Sequence, residues 1–212
     1  MRQLIKRFAE SIGWVLSYVY FPIISKWIRA FISHIYTGFW SGRFVCWGVN
    51  SVIEYRASAL EGVRYIHIGR NVELDKGIKL TAWDNYMGER KTPEIRIGDN
   101  CHIGAMSHIT ACNSIIIGKN LLTGTNVLIT DNAHGMFEFD DLNIHPEKRS
   151  LVSKGGVRIG DNVWIGNNVC IMPNVIIGDG VIIGANSVVT KNVPSYTMIV
   201  GAPARIVKRL NI

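Results

Sequence analysis

The chain has 212 residues, of which 48% are hydrophobic and 18% are charged, and its formal net charge is +7. This balance excludes a disordered tail and allows one domain with an appendage, or two small domains. The four cysteines have no paired spacing, which excludes a secreted disulfide scaffold and predicts reduced thiols in a cytoplasmic protein.

Residues 1–50 differ chemically from the rest of the chain. Six basic side chains accompany one acidic side chain there, and aromatic residues are concentrated between Phe8 and Trp47. Large apolar residues recur in steps of three and four, which predicts an amphipathic helix that Pro22 breaks or kinks into two. The apolar positions are Leu4, Ile5, Phe8, Ile12, Val15, Leu16, Val19, Ile23, Trp27, Ile28, Phe31 and Ile35.

Three roles stay open for this basic, aromatic segment. It can lie on an anionic membrane surface, which would place residues 1–40 in peripheral contact with the cytoplasmic face of the membrane. It can instead pack on the main domain or on a partner chain as a cap. A secretory signal or a membrane span fits poorly, because the uncharged run 11–25 falls short of the roughly 18 residues that a span needs.

A period of six residues organises residues 51–212. Hexads begin at Ile97, Ile103, Ile109, Ile117, Thr123, Ile129, Ile159, Ile165, Ile171, Ile177, Ile183 and Val189. Each hexad supplies one inward aliphatic residue and a smaller inward residue two positions earlier, with Gly, Asn or Asp suited to the corners between strands. This pattern predicts a mainly β solenoid of stacked parallel strands, whose ends are covered by the N-terminal helices and by residues 195–212.

Two stretches interrupt the period. The first is a polar insertion at residues 84–94, and the second covers residues 134–156, which show no repeat. We expect the second stretch to leave the coil as a loop excursion. Long loops on a rigid scaffold commonly carry function.

Three local motifs lie on the repeat: Thr130-Asp-Asn-Ala-His-Gly135, Ile159-Gly-Asp-Asn-Val-Trp-Ile-Gly166 and Val200-Gly-Ala-Pro-Ala-Arg205. With them the sequence resembles the hexapeptide-repeat acyltransferases, in particular the galactoside/maltose O-acetyltransferases and the related surface-polysaccharide O-acetyltransferases. The resemblance implies a left-handed parallel β-helix. It also implies a homotrimer with acetyl-CoA bound, as co-substrate, between neighbouring subunits.

The resemblance assigns roles to individual residues. It places the catalytic histidine at His134 and the donor-binding contacts at Trp164, Asn167, Ala185, Thr190, Lys191, Arg205 and Lys208. Lys208 stands where a second arginine is common, so the charge is kept but the bidentate geometry is lost. On the acceptor side, Gly104 and Cys112 replace the sugar-binding asparagine and aspartate of the sugar-acetylating relatives.

His134 suits the role of general base, because an imidazole can take a proton from an attacking hydroxyl at neutral pH. Asp131 is the second catalytic candidate, either orienting His134 or touching the acceptor. A corner-forming role for Asp131 is equally compatible with its position three residues before His134.

Metal and thiol chemistry are not expected. His102 and His108 are six residues apart, which places them on different faces of a triangular coil rather than in one ligand set. Nothing in the sequence positions a base beside a cysteine. The cysteines Cys46, Cys101, Cys112 and Cys170 are therefore interpreted as structural.

The sequence therefore predicts an acetyl-CoA-dependent O-acetyltransferase that acts on a sugar hydroxyl by direct transfer, in surface polysaccharide or glycolipid biosynthesis. The expected partners are a carbohydrate acceptor and copies of the chain itself, without nucleic acid. Two alternatives stay open. One is acyl transfer to a soluble amine or small alcohol, and the other is a non-catalytic β-helix scaffold at a membrane surface.

Overall fold

The structure is a computed structural model that describes residues 2–18 and 22–210. Two helices, α1 (Arg2–Tyr18) and α2 (Pro22–Ser41), precede a body built from short strands. The predicted break between the helices falls at residues 19–22, of which 19–21 lie outside the described residues, as do residues 211–212 of the predicted C-terminal cap.

Six coils each contribute one strand to each of three parallel sheets, called faces 1, 2 and 3. Coils one and two contain β1 (Cys46–Trp47), β2 (Val52–Ile53), β3 (Ala59–Glu61), β4 (Ile66–Ile68), β5 (Glu73–Leu74) and β6 (Lys79–Ala82). A hairpin of β7 (Asn85–Tyr86) and β8 (Glu89–Arg90) follows. Coils three and four contain β9 (Glu94–Ile97), β10 (His102–Ile103), β11 (His108–Ala111), β12 (Ser114–Ile117), β13 (Leu122–Thr123) and β14 (Leu128–Thr130).

A second antiparallel pair then leaves the coil, formed by β15 (Asn132–His134) and β16 (Leu151–Ser153). Between its strands lie the short helix α3 (Phe139–Leu142) and a 3-10 turn at Pro146–Lys148. Coils five and six contain β17 (Val157–Ile159), β18 (Trp164–Ile165), β19 (Cys170–Ile171), β20 (Ile176–Ile177), β21 (Ile182–Ile183) and β22 (Val188–Val189). Finally, β23 (Thr197–Val200) extends face 2 and β24 (Arg205–Arg209) pairs with it in the antiparallel sense.

The interior of the prism is a stack of aliphatic side chains, as the six-residue period predicts. The hexad residues from Ile159 to Val189 are each at most 3% exposed, and so are the smaller inward residues Val163, Val169, Val175, Val181 and Ser187. Strand partners in the last two coils are 18 residues apart, as Trp164 and Ile182 illustrate. The predicted β solenoid is confirmed.

Asparagines form most of the corners in the left-handed backbone region, where this residue type is tolerated at modest cost. Their side chains also bond to one another from coil to coil. One ladder runs through Asn50, Asn71, Asn100, Asn120 and Asn162, with Nδ2–Oδ1 distances of 2.9–3.2 Å. Each interior amide donates to one neighbour and accepts from the other, so the ladder satisfies the polar groups along the edge.

Helix α2 lies across the end of the first coil. The backbone N–H groups of Ile53 and Tyr55 donate to Thr37 Oγ1 and Ser33 Oγ, each at 2.9 Å. Because β2 is the edge strand of face 2, these N–H groups would otherwise lack a partner strand. The coil already begins at Cys46, inside the segment expected to be helical.

Candidate active site

His134 ends strand β15 at the corner between faces 3 and 1, where the chain leaves coil four. Its backbone pairs with Leu151 in β16, and its side chain is exposed. The hydroxyl of Tyr86, from the β7–β8 hairpin, lies 3.3 Å from His134 Nδ1, and the two rings meet edge to face at 5.5 Å. Two excursions from different coils thus meet at the imidazole.

The Tyr86 hydroxyl also donates to the carbonyl oxygen of Glu147, at 3.2 Å. A phenol has one proton to donate, and a carbonyl oxygen can only accept. With that proton given to Glu147, Tyr86 accepts from Nδ1–H of His134. This tautomer leaves the Nε2 lone pair of His134 available as a base.

Tyr86 was not singled out from the sequence. It lies in the insertion that reads only as polar, and its partners are distant in sequence. The hairpin that carries it is anchored at two points: Trp83 packs on the Tyr86 ring at 6.2 Å and donates Nε1–H to Thr110, and Ser150 Oγ donates to Glu89 at 2.6 Å. An aromatic pair directly after a buried strand was the available signal.

Asp131 is fully buried at the corner before β15. Its carboxylate accepts the backbone N–H groups of Cys112 and Asn113, both at 2.8 Å, and the side-chain amide of Asn132 at 3.0 Å. These contacts are those of a corner-forming residue, and His134 is not among them. The catalytic role proposed for Asp131 therefore finds no contact to support it, whereas the structural alternative does.

Three of the expected donor-binding residues lie at the corner between faces 2 and 3. Trp164 projects from face 2 in coil five and is 53% exposed. Asn167 and Ala185 occupy the corners that follow in coils five and six, and Asn167 Oδ1 accepts the backbone N–H of Thr125 at 2.9 Å. Trp164 is flanked on face 2 by Leu122 and by Ile182, so an apolar ladder runs beside this edge.

Thr190 and Lys191 lie at the other edge of face 3, the corner that also carries His134. With Arg205 they line a 410 Å³ cavity at the end of the last coil. Lys208 is not part of this cavity. It pairs with Met198 and lines a separate 200 Å³ cavity beside Tyr196. The structure therefore groups Lys191 with Arg205 and separates Lys208 from both.

The acceptor-side position Cys112 lines a 370 Å³ cavity next to strand β16, together with Arg90 and Lys91. Burial, followed by the charge of Asp131, raises the pKa of the Cys112 thiol to about 11. The thiol is therefore protonated and unsuited to nucleophilic attack. Gly104 is at the edge shared with Asn167, where a side chain would collide with the Gly124 carbonyl.

The two histidines of the repeat lie on different faces, as their spacing predicts. His102 Nε2 contacts Asp75 at 3.0 Å on face 2, whereas His108 Nε2 contacts Thr81 at 3.0 Å on face 3. Burial, followed by the charge of Lys79, lowers the pKa of His108. Within residues 2–18 and 22–210, no group of three or more His, Cys, Asp or Glu side chains is arranged to hold a metal ion.

Comparisons with known proteins agree with this architecture. Residues 156–191 match the model of the bacterial transferase hexapeptide (six repeats), and residues 94–131 match the hexapeptide repeat of succinyl-transferase. WbbJ of Escherichia coli K12, whose name assigns it provisionally to O-acetyl transfer in lipopolysaccharide biosynthesis, is 39% identical over 87 residues. That match spans 39% of this chain and 44% of WbbJ, less than half of the relative.

Two solved structures share the fold. AntD, an N-acyltransferase from Bacillus cereus crystallised with dTDP and coenzyme A, has a TM-score of 0.67 at 23% identity, covering 82% of this chain and 88% of AntD. PerB from Caulobacter crescentus, in complex with CoA and GDP-perosamine, has a TM-score of 0.52 at 20% identity, covering 76% of this chain and 58% of PerB.

The chain is a left-handed parallel β-helix built from hexapeptide repeats, with an N-terminal helical segment. The resemblance to the hexapeptide-repeat acyltransferases, and to their O-acetyltransferase branch, is confirmed.

Proposed function

We propose that the protein is an acetyl-CoA-dependent O-acetyltransferase that acts on a sugar hydroxyl in surface polysaccharide or glycolipid biosynthesis. The observation that carries the proposal is the hydrogen-bonded series from Glu147 through Tyr86 to His134, because it prepares one imidazole nitrogen to accept a proton. The identity with WbbJ supports the O-acetyl class, and the CoA-bound structural relatives support the donor.

In the proposed reaction, Nε2 of His134 accepts the proton of the sugar hydroxyl while the oxygen bonds to the thioester carbonyl carbon. The carbon–sulfur bond then breaks, and the imidazolium returns the proton to the CoA sulfur. Tyr86 keeps the other imidazole nitrogen bonded throughout. Lys191 and Arg205 are the side chains suited to the phosphates of CoA, and the cavity beside Arg90 and Cys112 offers room for the acceptor.

The position of the donor-binding residues supports an active site formed by two copies of the chain. Trp164 and Asn167 lie at one edge of face 3, and His134 lies at the opposite edge. A ring of three copies that turn face 3 towards its axis would bring these two edges together at each interface. The outward positions of face 3 suit such packing, because Leu128, Cys170 and Val188 form a half-buried ladder there.

The first experiment replaces the base. His134→Ala should lower turnover by about 10²–10⁴-fold, the usual contribution of a general base, while calorimetry still detects acetyl-CoA binding that weakens with salt. His34→Ala, in an exposed histidine of α2, is the matched control. Turnover retained by His134→Ala would overturn the mechanism, and a folded protein that does not bind acetyl-CoA would overturn the donor.

The second experiment tests the shared site. His134→Ala and Trp164→Ala are expected to be inactive alone, but their coexpression should restore about a quarter of the sites, since a random ring pairs an intact His134 edge with an intact Trp164 edge that often. Absence of recovery in mixed oligomers would place the whole site within one chain. An amino sugar assayed beside the sugar alcohol would distinguish N-acyl from O-acyl transfer.

A further inference from the structure

Helix α2 has its amphipathic faces reversed relative to a helix that packs on a protein core. Its contacts with the body are polar: Ser33 and Thr37 are buried and bond to the backbone of β2. A surface helix normally turns its apolar stripe to the core and its polar face to water. In α2 the polar side chains anchor the helix and the apolar stripe is directed away.

The outward stripe is large and continuous. Its members recur in helical steps, and each is more than half exposed: Ile24, Trp27, Ile28, Phe31, Ile35 and Phe39. Helix α1 likewise buries no residue, although it carries an apolar stripe of its own. Contiguous exposed apolar surface of this extent marks an interaction site rather than ordinary surface.

The direction of the stripe follows from its anchor. Hydrogen bonds between stacked coils run along the axis of the prism, and the N–H groups of Ile53 and Tyr55 extend that direction to α2. The side of α2 opposite those contacts therefore looks outward along the axis, beyond the first coil. If the proposed three-fold ring forms, all its α2 helices present their stripes at the same end.

Charge selects the occupant. The six basic residues of the segment, Arg2, Lys6, Arg7, Lys26, Arg29 and Arg43, are all exposed and accompany a single acidic residue, Glu10. The Arg43 guanidinium lies 4.1 Å from the ring centre of Phe39, at the end of the stripe. A second copy would bring like charge to this surface, whereas anionic headgroups would complement it.

We propose that the N-terminal segment docks on an anionic lipid surface, with the α2 stripe at the boundary between headgroups and acyl chains. Docking lies in the plane of the surface, since none of the described helices is long and apolar enough to cross a membrane. Aromatic and aliphatic side chains bordered by cations are the composition of such interfacial helices. The proposal does not depend on the acyl-transfer chemistry.

The test is vesicle cosedimentation of the full chain. Vesicles of phosphatidylcholine with about a third phosphatidylglycerol should bind the protein at least about tenfold better than pure phosphatidylcholine vesicles, and high salt should weaken the binding. The double variant Trp27→Ser/Phe31→Ser should bind at least about tenfold more weakly, because two exposed anchors are lost. Circular dichroism establishes that the variant is folded.

The matched control is Phe137→Ser/Phe139→Ser, which removes two aromatic side chains of greater exposure from the loop excursion and should leave binding unchanged. Equal binding to neutral vesicles, or an unchanged affinity of the α2 variant, would overturn the proposal. So would an oligomer that the α2 variant dissociates in a protein that binds no vesicles, since the stripe would then contact another copy. Enzymatic activity on a soluble acceptor distinguishes a failure here from a failure of the proposed function.

Discussion

Tyr86→Phe is the most direct perturbation of the proposed base. Phenylalanine keeps the ring that packs against His134 at 5.5 Å but removes the hydroxyl that bridges Nδ1 and the Glu147 carbonyl. A hydrogen bond between neutral groups contributes about 0.5–1.5 kcal/mol. If that energy holds the Nδ1–H tautomer, its loss lowers kcat by about two- to twelvefold.

The assay follows CoA release at saturating acetyl-CoA and acceptor. We expect the loss in kcat, with KM for acetyl-CoA unchanged, because Tyr86 is not among the donor-binding residues. Nitrogen chemical shifts of the imidazole supply the second readout: the wild-type ring should carry its proton on Nδ1, and the variant should populate both tautomers.

Tyr65→Phe is the matched control, since it also removes one phenol hydrogen bond, to Asp84 at 3.1 Å, without touching His134. An equal loss in both variants would mean that the hairpin position matters rather than the tautomer. Wild-type kcat together with unchanged imidazole shifts in Tyr86→Phe would refute the reasoning.

Three further predictions concern the fold. Thr37→Val should lower the free energy of unfolding by about 1–3 kcal/mol in urea denaturation, because the buried N–H of Ile53 loses its acceptor; an unchanged midpoint would contradict this. Iodoacetamide at about pH 8 should modify exposed Cys46 well before Cys112, whose thiol pKa is raised to about 11, and peptide mass spectrometry would reveal equal rates if this is wrong. Because the pKa of His108 is lowered from 6.5 in the folded protein, the unfolded chain binds more protons below that pH and stability falls with acidity; His108→Gln should weaken the fall in Tm between about pH 7 and pH 5, and an unaltered slope would exclude His108 as its cause.

The six-residue period was sufficient to predict the body of the fold because burial repeats with it. From Ile159 to Val189 each hexad occupies one strand and one corner, so the pattern in sequence is the pattern in space. The first coil shows no such pattern. Its strands at Cys46 and Val52 are covered by α2, and packing against a helix relaxes the requirement for small corners and aliphatic strands.

The candidate site was less accessible from the sequence. His134 was found through its motif, but Tyr86 is 48 residues away and joins it only because two excursions leave the same corner. The division of Trp164 and His134 between two edges of face 3 also depends on coil geometry. The periodicity of α2 predicted a helix but could not reveal that Ser33 and Thr37, rather than the apolar stripe, face the protein.

The asparagine ladder has a consequence for how such a molecule can change length. Each of its rungs has the same backbone conformation and the same donor–acceptor relation to its neighbours. An insertion of 18 residues in register with coils five and six would therefore add one rung and about 4.8 Å of edge, with no new corner to invent. Size in this architecture varies in discrete steps, and a change in the separation between His134 and Lys191 would come as a whole coil or not at all.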